Sequence, residues 1–328
     1  MQALVLTTFA SPMTIEHLPV PQPGPGQVLV RIAASGVNPL DTKIAVGAAP
    51  HARPRLPAIL GIDLAGTVAA VGEGVTAFHI GATVYGMVGG IAGIQGSLAE
   101  YGVFDAALLA PVPQALSLRE AAALPLVFIT AWEGLVDRAH VKAGDTVLVH
   151  GGAGGVGHMA VQLAVSFGAR VYATGSAASR AAIEALGARF IDYRTSTVDD
   201  YVAEHTGGAG FDIVYDTVGG ATLDASFQAA RMYGGHVVSC LGWGTFALSP
   251  LTARAASYSG VFTLLPLLSG EGHARHGAIL REANKLIDAG KLQVRLDARR
   301  FSLHTVHEAH VAQMDGSARG KLVVEVAD

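Results

Sequence analysis

The stretch Val147–Ser176, VLVHGGAGGVGHMAVQLAVSFGARVYATGS, reads as a buried strand, a glycine turn, an amphipathic helix and a second strand. Within it Gly152, Gly154 and Gly157 form G-x-G-x-x-G between the strand VLVH and the helix HMAVQLAVSF. In a chain with 41 glycines the bare spacing means little. Placed between strand and helix, each glycine acquires a mechanical role. Gly152 allows the tight turn, Gly154 the approach of a pyrophosphate, and Gly157 the packing of helix on sheet. The helix start offers unbonded N–H groups and a positive dipole end to that pyrophosphate. The segment therefore predicts a dinucleotide site.

An NAD-type site carries an acidic residue at the end of its second strand, bonded to the ribose 2′-hydroxyl. Here that strand, RVYATG, ends in Thr174, Gly175 and Ser176, and no carboxylate follows before Glu184. A hydroxyl and the nearby Arg180 suit a 2′-phosphate instead. NADPH is the expected cofactor.

Composition narrows the class. With 328 residues the chain has room for two domains. No apolar run approaches the roughly 20 residues of a membrane span, although mean hydropathy is +0.42. Lysine plus arginine number 22 against 26 acidic residues, a net charge of −4 with no basic block, so neither nucleic acid nor membrane is an expected partner. The first cationic residue is Arg31, and Ser11, Pro12 and Glu16 interrupt any signal-like apolar segment, which points to the cytoplasm. A single cysteine, Cys240, excludes an internal disulfide; its flanks, HVVSCLGW, place it in a strand.

Outward from the glycine turn, two textures appear. Short β-rich runs separated by Pro/Gly clusters fill the first hundred residues: QALVLTTF, MTIEHLPV, QVLVRIAASGV, LAGTVAAVG and ATVYGMV. Ser117 with Glu120 then forms a capping-box pattern opening the helical run LSLREAAALPLVFITAWEGLVDRA. Beyond it strands and helices alternate, through RFIDY, FDIVYDTVGG and GGHVVSCLG to GVFTLLPLL. Near-continuous apolar strands of this kind belong to a parallel sheet covered on both faces. The tail returns to a helix, short β runs and a last strand, GKLVVEVA. The expected class is α/β, a doubly wound Rossmann sheet inserted into a β-rich domain. The boundaries are 1–123 for the first part, 124–268 for the nucleotide domain and 269–328 for the return.

The pieces SGVNPLDTK (35–43), PAILGIDLAGTVAAVGEGVTAFHIGATVYG (57–86), SLAEY (97–101), TAW (130–132), the glycine turn, LGARFIDYR and GKLVV run in order along nearly the whole chain. In this they resemble the zinc-independent quinone oxidoreductases, zeta-crystallin-like members of the medium-chain dehydrogenase/reductase superfamily. The resemblance implies a GroES-like catalytic domain, a Rossmann domain, a cofactor cleft between them, and a homodimer joined through the last strand of the nucleotide sheet, near Val261–Leu268. It implies that Asn38 faces the nicotinamide end and Thr130 sits near the cofactor. Gly152, Ala153, Gly154, Gly155, Val156 and Gly157 would cradle the pyrophosphate. Thr174, Gly175, Ser176, Arg180 and Tyr193 would meet the 2′-phosphoadenosine, and Val218, Leu241, Gly242 and Phe262 the nicotinamide ribose. Two departures stand out: many relatives have a lysine at or beside Arg180, and a tyrosine where Lys43 stands. Zinc-dependent members carry a cysteine at the positions of Ser35–Val37 and His-Glu at Ile62 and Asp63, together with a four-cysteine lobe, and none of those ligands occurs here.

Other constellations compete. His304, His307 and His310 recur every third residue, which reads as a polar helix face rather than a metal site. His150 reads as the cap of a strand end. Asp41 and Lys43, in the NPLDTK turn beside Asn38, are candidates for moving a proton. Without a metal to stabilise an alkoxide, alcohol oxidation is disfavoured, whereas quinones and α,β-unsaturated carbonyls accept hydride readily. The expected activity is NADPH-dependent reduction of a quinone or enone. A 2-enoyl thioester reductase and a non-catalytic NADPH-binding protein are the alternatives.

Overall fold

The computed structural model describes residues 1–326. The chain divides into two units: Met1–Leu126 joined by the stretch from Leu264 onward, and Val127–Thr263. The first unit opens with β1 (Gln2–Leu6), β2 (Thr14–His17), β3 (Gln27–Gly36), α1 (Pro39–Ala45), β4 (Ala58–Ile59), β5 (Asp63–Val71), β6 (Thr83–Met87), β7 (Tyr101–Asp105), β8 (Leu109–Pro111) and α2 (Leu118–Ala122). β1 pairs antiparallel with β2 and β4 as a small sheet. β3 is the spine of the larger sheet. Its alternation sends Val28, Val30 and Ile32 into a core with Leu64, Val68, Val84, Phe104 and Leu109, while Arg31 stays exposed. Ser117 caps α2 as its spacing predicts: its hydroxyl accepts from Glu120 N–H, and the Glu120 carboxylate accepts from Ser117 N–H. The helical run does not continue unbroken, because Pro125 restarts it as α3 (Pro125–Trp132), followed by a π-helical segment over Glu133–Arg138.

The second unit carries β9 (Thr146–His150), α4 (Gly155–Ser166), β10 (Arg170–Gly175), α5 (Arg180–Ala185), β11 (Arg189–Asp192), α6 (Val198–Thr206), β12 (Ile213–Asp216), α7 (Ala221–Ala229), β13 (His236–Ser239), α8 (Ser249–Ala253) and β14 (Ser257–Gly260). Its six strands lie in the order β11-β10-β9-β12-β13-β14, and every pairing is parallel. This is the Rossmann order, with the reversal between β9 and β12. Leu148, Tyr172, Ile191, Val214 and Val237 from the strands pack against Tyr201, Leu223 and Phe227 from the helices.

The last strand of this sheet lies earlier than the apolar run GVFTLLPLL predicts. It is the polar segment Ser257–Gly260, whereas the expected strand near Val261–Leu268 is loop followed by α9 (Leu265–Ser269). Pro266 has no N–H for a strand ladder but suits the first turn of a helix. The first unit is then completed by α10 (His273–Asp288), β15 (Phe301–Ser302), α11 (Val306–Met314) and β16 (Val323–Glu325). β16 pairs antiparallel with the end of β3, setting Val323 opposite Gly36 and Val324 opposite Ser35. That register carries Lys321 to the start of α1. The histidine series is not a uniformly polar helix face: His304 precedes α11, His307 is exposed, and His310 is buried, its imidazole pushed down to about 4 by burial. Cys240 lies one residue beyond β13, and burial raises its thiol to about 12.

Candidate functional site

In a parallel sheet every strand presents its carboxyl end to the same edge. The second unit therefore gathers on one edge the turn after β9, the residues Thr174–Arg180 after β10, Tyr193 after β11, Val218 after β12, Leu241 and Gly242 after β13, and Phe262 after β14. The glycine turn is built somewhat differently from what its spacing predicts. Gly151, with φ of 73°, takes the left-handed bend. Gly152 is required for packing: a methyl there would lie 2.6 Å from Ala173 Cβ. A methyl on Gly157 would overlap the Gly151 carbonyl oxygen, so the first turn of α4 lies directly on the loop. Exposed Gly154 caps α4, and Ala153, Gly155 and Val156 are partly exposed beside it. The helix start, with its N–H groups and positive dipole end, is a cradle in which a diphosphate fits.

Side chains behind the turn hold it. Buried Thr174 accepts from Gly151 N–H at 3.2 Å, its carbonyl accepts from Gly152 N–H at 3.0 Å, and its hydroxyl lies 3.2 Å from His150 Nδ1. Burial drives the His150 imidazole down to about 4, partly opposed by Asp216, so the ring is neutral at pH 7. Asp216, absent from the residues that the sequence pattern singles out, organises the neighbouring loops. Its carboxylate accepts from Val218 N–H, Gly219 N–H and the Ser239 hydroxyl at 2.7–3.1 Å. The Ser239 hydroxyl oxygen in turn accepts from Leu241 N–H at 3.0 Å. The carboxylate-then-GG pattern in YDTVGG is the signal that marks it. Thr130 is buried, its carbonyl accepting from Tyr215 Oη at 2.6 Å. Phe262 meets Trp243 edge-on at 5.6 Å. At the end of β10, Ser176 is followed by Arg180, whose guanidinium lies 4.5 Å above the Phe190 ring and 3.3 Å from Glu184. Tyr193 is exposed, with Arg194 5.8 Å from its ring.

The polar centre of the first unit surrounds Asn38, whose exposure is zero. Its Nδ2 donates to Asp63 Oδ2 at 2.8 Å, and its backbone N–H donates to Asp41 Oδ2 at 2.8 Å. Its Oδ1 accepts from Lys321 Nζ at 2.6 Å, and the same ammonium donates to Val37 O at 2.8 Å. Asp63 Oδ1 accepts from Leu126 N–H at 2.9 Å. Asp41 and Lys43, the candidates for moving a proton, are not brought together. Two positions apart on α1, they do not share a face: Asp41 is buried and Lys43 exposed. The cation of this centre is Lys321, from the GKLVV segment that reads in sequence only as a closing strand. Burial raises Asp63 to about 7 and Asp41 to about 6, each moderated by Lys321, and lowers Lys321 from its ordinary value.

Residues 24–114 match the alcohol dehydrogenase GroES-like domain family, and residues 186–324 match the zinc-binding dehydrogenase family. The structure is similar to that of an alcohol dehydrogenase superfamily protein from Novosphingobium aromaticivorans, with 53% identity, a TM-score of 0.98 and 100% of both chains covered. A mycobacterial quinone oxidoreductase shares 30% identity at a TM-score of 0.85 over 99% of each chain. A mycobacterial protein complexed with NADPH shares 30% at 0.86, over 99% of this chain and 100% of that one. A phenolphthiocerol synthesis polyketide synthase from Mycobacterium bovis is 38% identical over 270 residues, 81% of this chain. The chain spans only 16% and 12% of the first two curated relatives it matches. The chain belongs to the medium-chain dehydrogenase/reductase superfamily of oxidoreductases.

Zinc, which one of these family descriptions names, does not fit the residues present. At the positions where zinc-dependent members carry ligands, Ile62 is apolar, both Asp63 oxygens already accept hydrogen bonds, and the Lys321 ammonium lies beside them. Among the described residues no three of His, Cys, Asp or Glu converge as a metal site. No helix of the described residues is long and apolar enough to cross a membrane.

Proposed function

We propose that this oxidoreductase uses NADPH to reduce quinones or α,β-unsaturated carbonyls, without zinc. One observation carries the reading: on the edge that presents a diphosphate cradle, β10 is followed by Ser176 and Arg180, with no carboxylate for a free 2′-hydroxyl. Bound there, the cofactor supplies hydride. The turn from Gly152 to Gly157 holds its diphosphate on backbone N–H groups. Ser176, Arg180 and Tyr193 take the 2′-phosphate, Thr130 sits near the cofactor, and Val218, Leu241, Gly242 and Phe262 meet the nicotinamide ribose. Asn38, its amide fully engaged by Asp63 and Lys321, is held rigid rather than free to donate. The similarity to a quinone oxidoreductase and to an NADPH complex supports this reading. An electrophilic substrate asks of the protein mainly positioning and exclusion of water. The partner is a second copy of the chain, joined along the exposed edge of β14.

The match to a polyketide synthase favours a second reading on the same scaffold, reduction of a 2-enoyl thioester. The test is NADPH and NADH oxidation against 1,4-benzoquinone, small enones, enoyl thioesters and no substrate. Turnover of quinones or enones with NADPH is expected. Activity confined to thioesters selects the second reading, and tight NADPH binding with no turnover overturns both.

A further inference from the structure

We infer that the buried cluster Asp41–Asn38–Asp63–Lys321 holds one proton more than its ion pair requires and is the proton store for the reduction proposed above. Three ionisable side chains meet here: two carboxylates and one ammonium. Fully ionised, the cluster carries a net charge of −1 in a place where Asp63 is 0%, Asp41 3% and Lys321 7% exposed. An uncompensated buried charge is costly, and one bound proton removes it.

Among the described residues, the cation acting on both carboxylates is Lys321. From α1 come Asn38 and Asp41; from the stretch leading into β5 come Asp63 and the N–H groups of Gly61 and Ile62, which bond Asp41; from α3 comes the Leu126 N–H; ahead of β16 comes Lys321. Ser97, hydrogen-bonded to Ser35 at 2.6 Å, donates to the Asp63 carbonyl and leaves its carboxylate alone. Asp41 thus has three backbone donors favouring its ionised form, whereas Asp63 has one backbone N–H and the Asn38 amide. The pair titrates jointly, with Asp63 the more readily protonated member, at about 7 against about 6 for Asp41. Lys321 also fixes the Asn38 amide, since only the amide oxygen can face an ammonium.

The store rests on the reductase reading for its use and on the cluster alone for its existence. Hydride addition to a conjugated carbonyl or quinone leaves an oxyanion. One proton leaves the cluster and neutralises it; the carboxylate left behind regains a proton from solvent, and no electrons move in that step. Asp41 and Lys321 are the members with a trace of exposure.

The test begins with ligand-free protein. A folded-state pKa above the unfolded value means that the native chain keeps a proton which the unfolded chain releases. The cluster's own contribution to stability then falls as pH rises from about 4 to about 7, raising the unfolding constant tenfold per pH unit for each such proton. Buried His150, His276 and His310, held down at about 4, act in the opposite sense in wild type and variants alike. Asp63→Asn should remove one proton from that slope, making its curve tenfold per pH unit shallower than wild type. Asp41→Asn should do the same and stands in if the first variant fails to fold. Curves parallel to wild type in the folded variants overturn the store. Its use is tested separately, through the pH profile of turnover with 1,4-benzoquinone. An ionisation near 7 that Asp63→Asn abolishes is expected, and an unchanged profile overturns the catalytic use. If no substrate turns over, the reductase reading fails while the stability curves still decide the store.

Discussion

The glycine edge of the second unit and the Asn38 cluster of the first are both polar sites, yet they are made in opposite ways. The glycine edge is local. Its donors are backbone N–H groups, its shape comes from residues too small to obstruct, and its supports sit within a strand or two. The Asn38 cluster is assembled from ionisable side chains far apart in the chain; Lys321 and Asn38 are 283 positions apart. A backbone site tolerates change wherever its geometry survives, whereas a buried charge cluster depends on every member being present. The substitutions that follow break or sharpen that contrast.

The largest effect is expected for Lys321→Met, which leaves two buried carboxylates without their cation. Removing one partner of a buried ion pair costs about 3–5 kcal/mol, read as a shift of the denaturant midpoint at pH 8. A loss below about 1 kcal/mol would show that the cluster is more solvated than its burial implies. Next comes Gly157→Ala, whose methyl overlaps the Gly151 carbonyl oxygen. Overpacking should cost about 1–3 kcal/mol and weaken NADPH binding with it, because fold and cradle share those atoms. Gly154→Val offers the counterpoint. Gly154 is exposed, with only the Gly151 oxygen, at 3.2 Å, near its would-be Cβ. That variant should remain folded by circular dichroism and lose NADPH binding by tryptophan fluorescence. Unchanged affinity would place the diphosphate elsewhere.

Arg180→Ala should narrow the preference for NADPH over NADH by about 1 kcal/mol, the low end for a charge-assisted contact. The guanidinium is 59% exposed and already shared with Glu184. If the preference exists and survives, Ser176 or Tyr193 carries the phosphate contact. The smallest effect belongs to Ser117→Ala, a purely local cap worth about 0.5–1 kcal/mol. If that loss exceeded the loss for Lys321→Met, the contrast between local and assembled sites would collapse.

The sequence by itself determined the second unit closely. Strand, glycine turn and helix are signals a few residues long, and parallel strands in Rossmann order bring their carboxyl ends to one edge. Naming the turns therefore named the residues that the sheet gathers along that edge, from Gly152 through Thr174 and Val218 to Phe262. The Ser117 cap and the missing acid after β10 were legible for the same reason, since each depends on neighbours within a turn. Tertiary structure decided the rest. Which glycine bends and which one packs was settled by Ala173 and by the Gly151 carbonyl, both outside the spacing rule. The edge strand fell on Ser257–Gly260 because parallel pairing with β13 and the proline in the following run outweighed apolar content. Lys43 and Lys321 look alike as letters, and nearness to Asp41 favours Lys43. Helix geometry turned Lys43 outward, and the β16–β3 register brought Lys321 inward. Charge partners in a buried site are chosen by packing, and packing joins residues whose separation along the chain leaves no periodic trace.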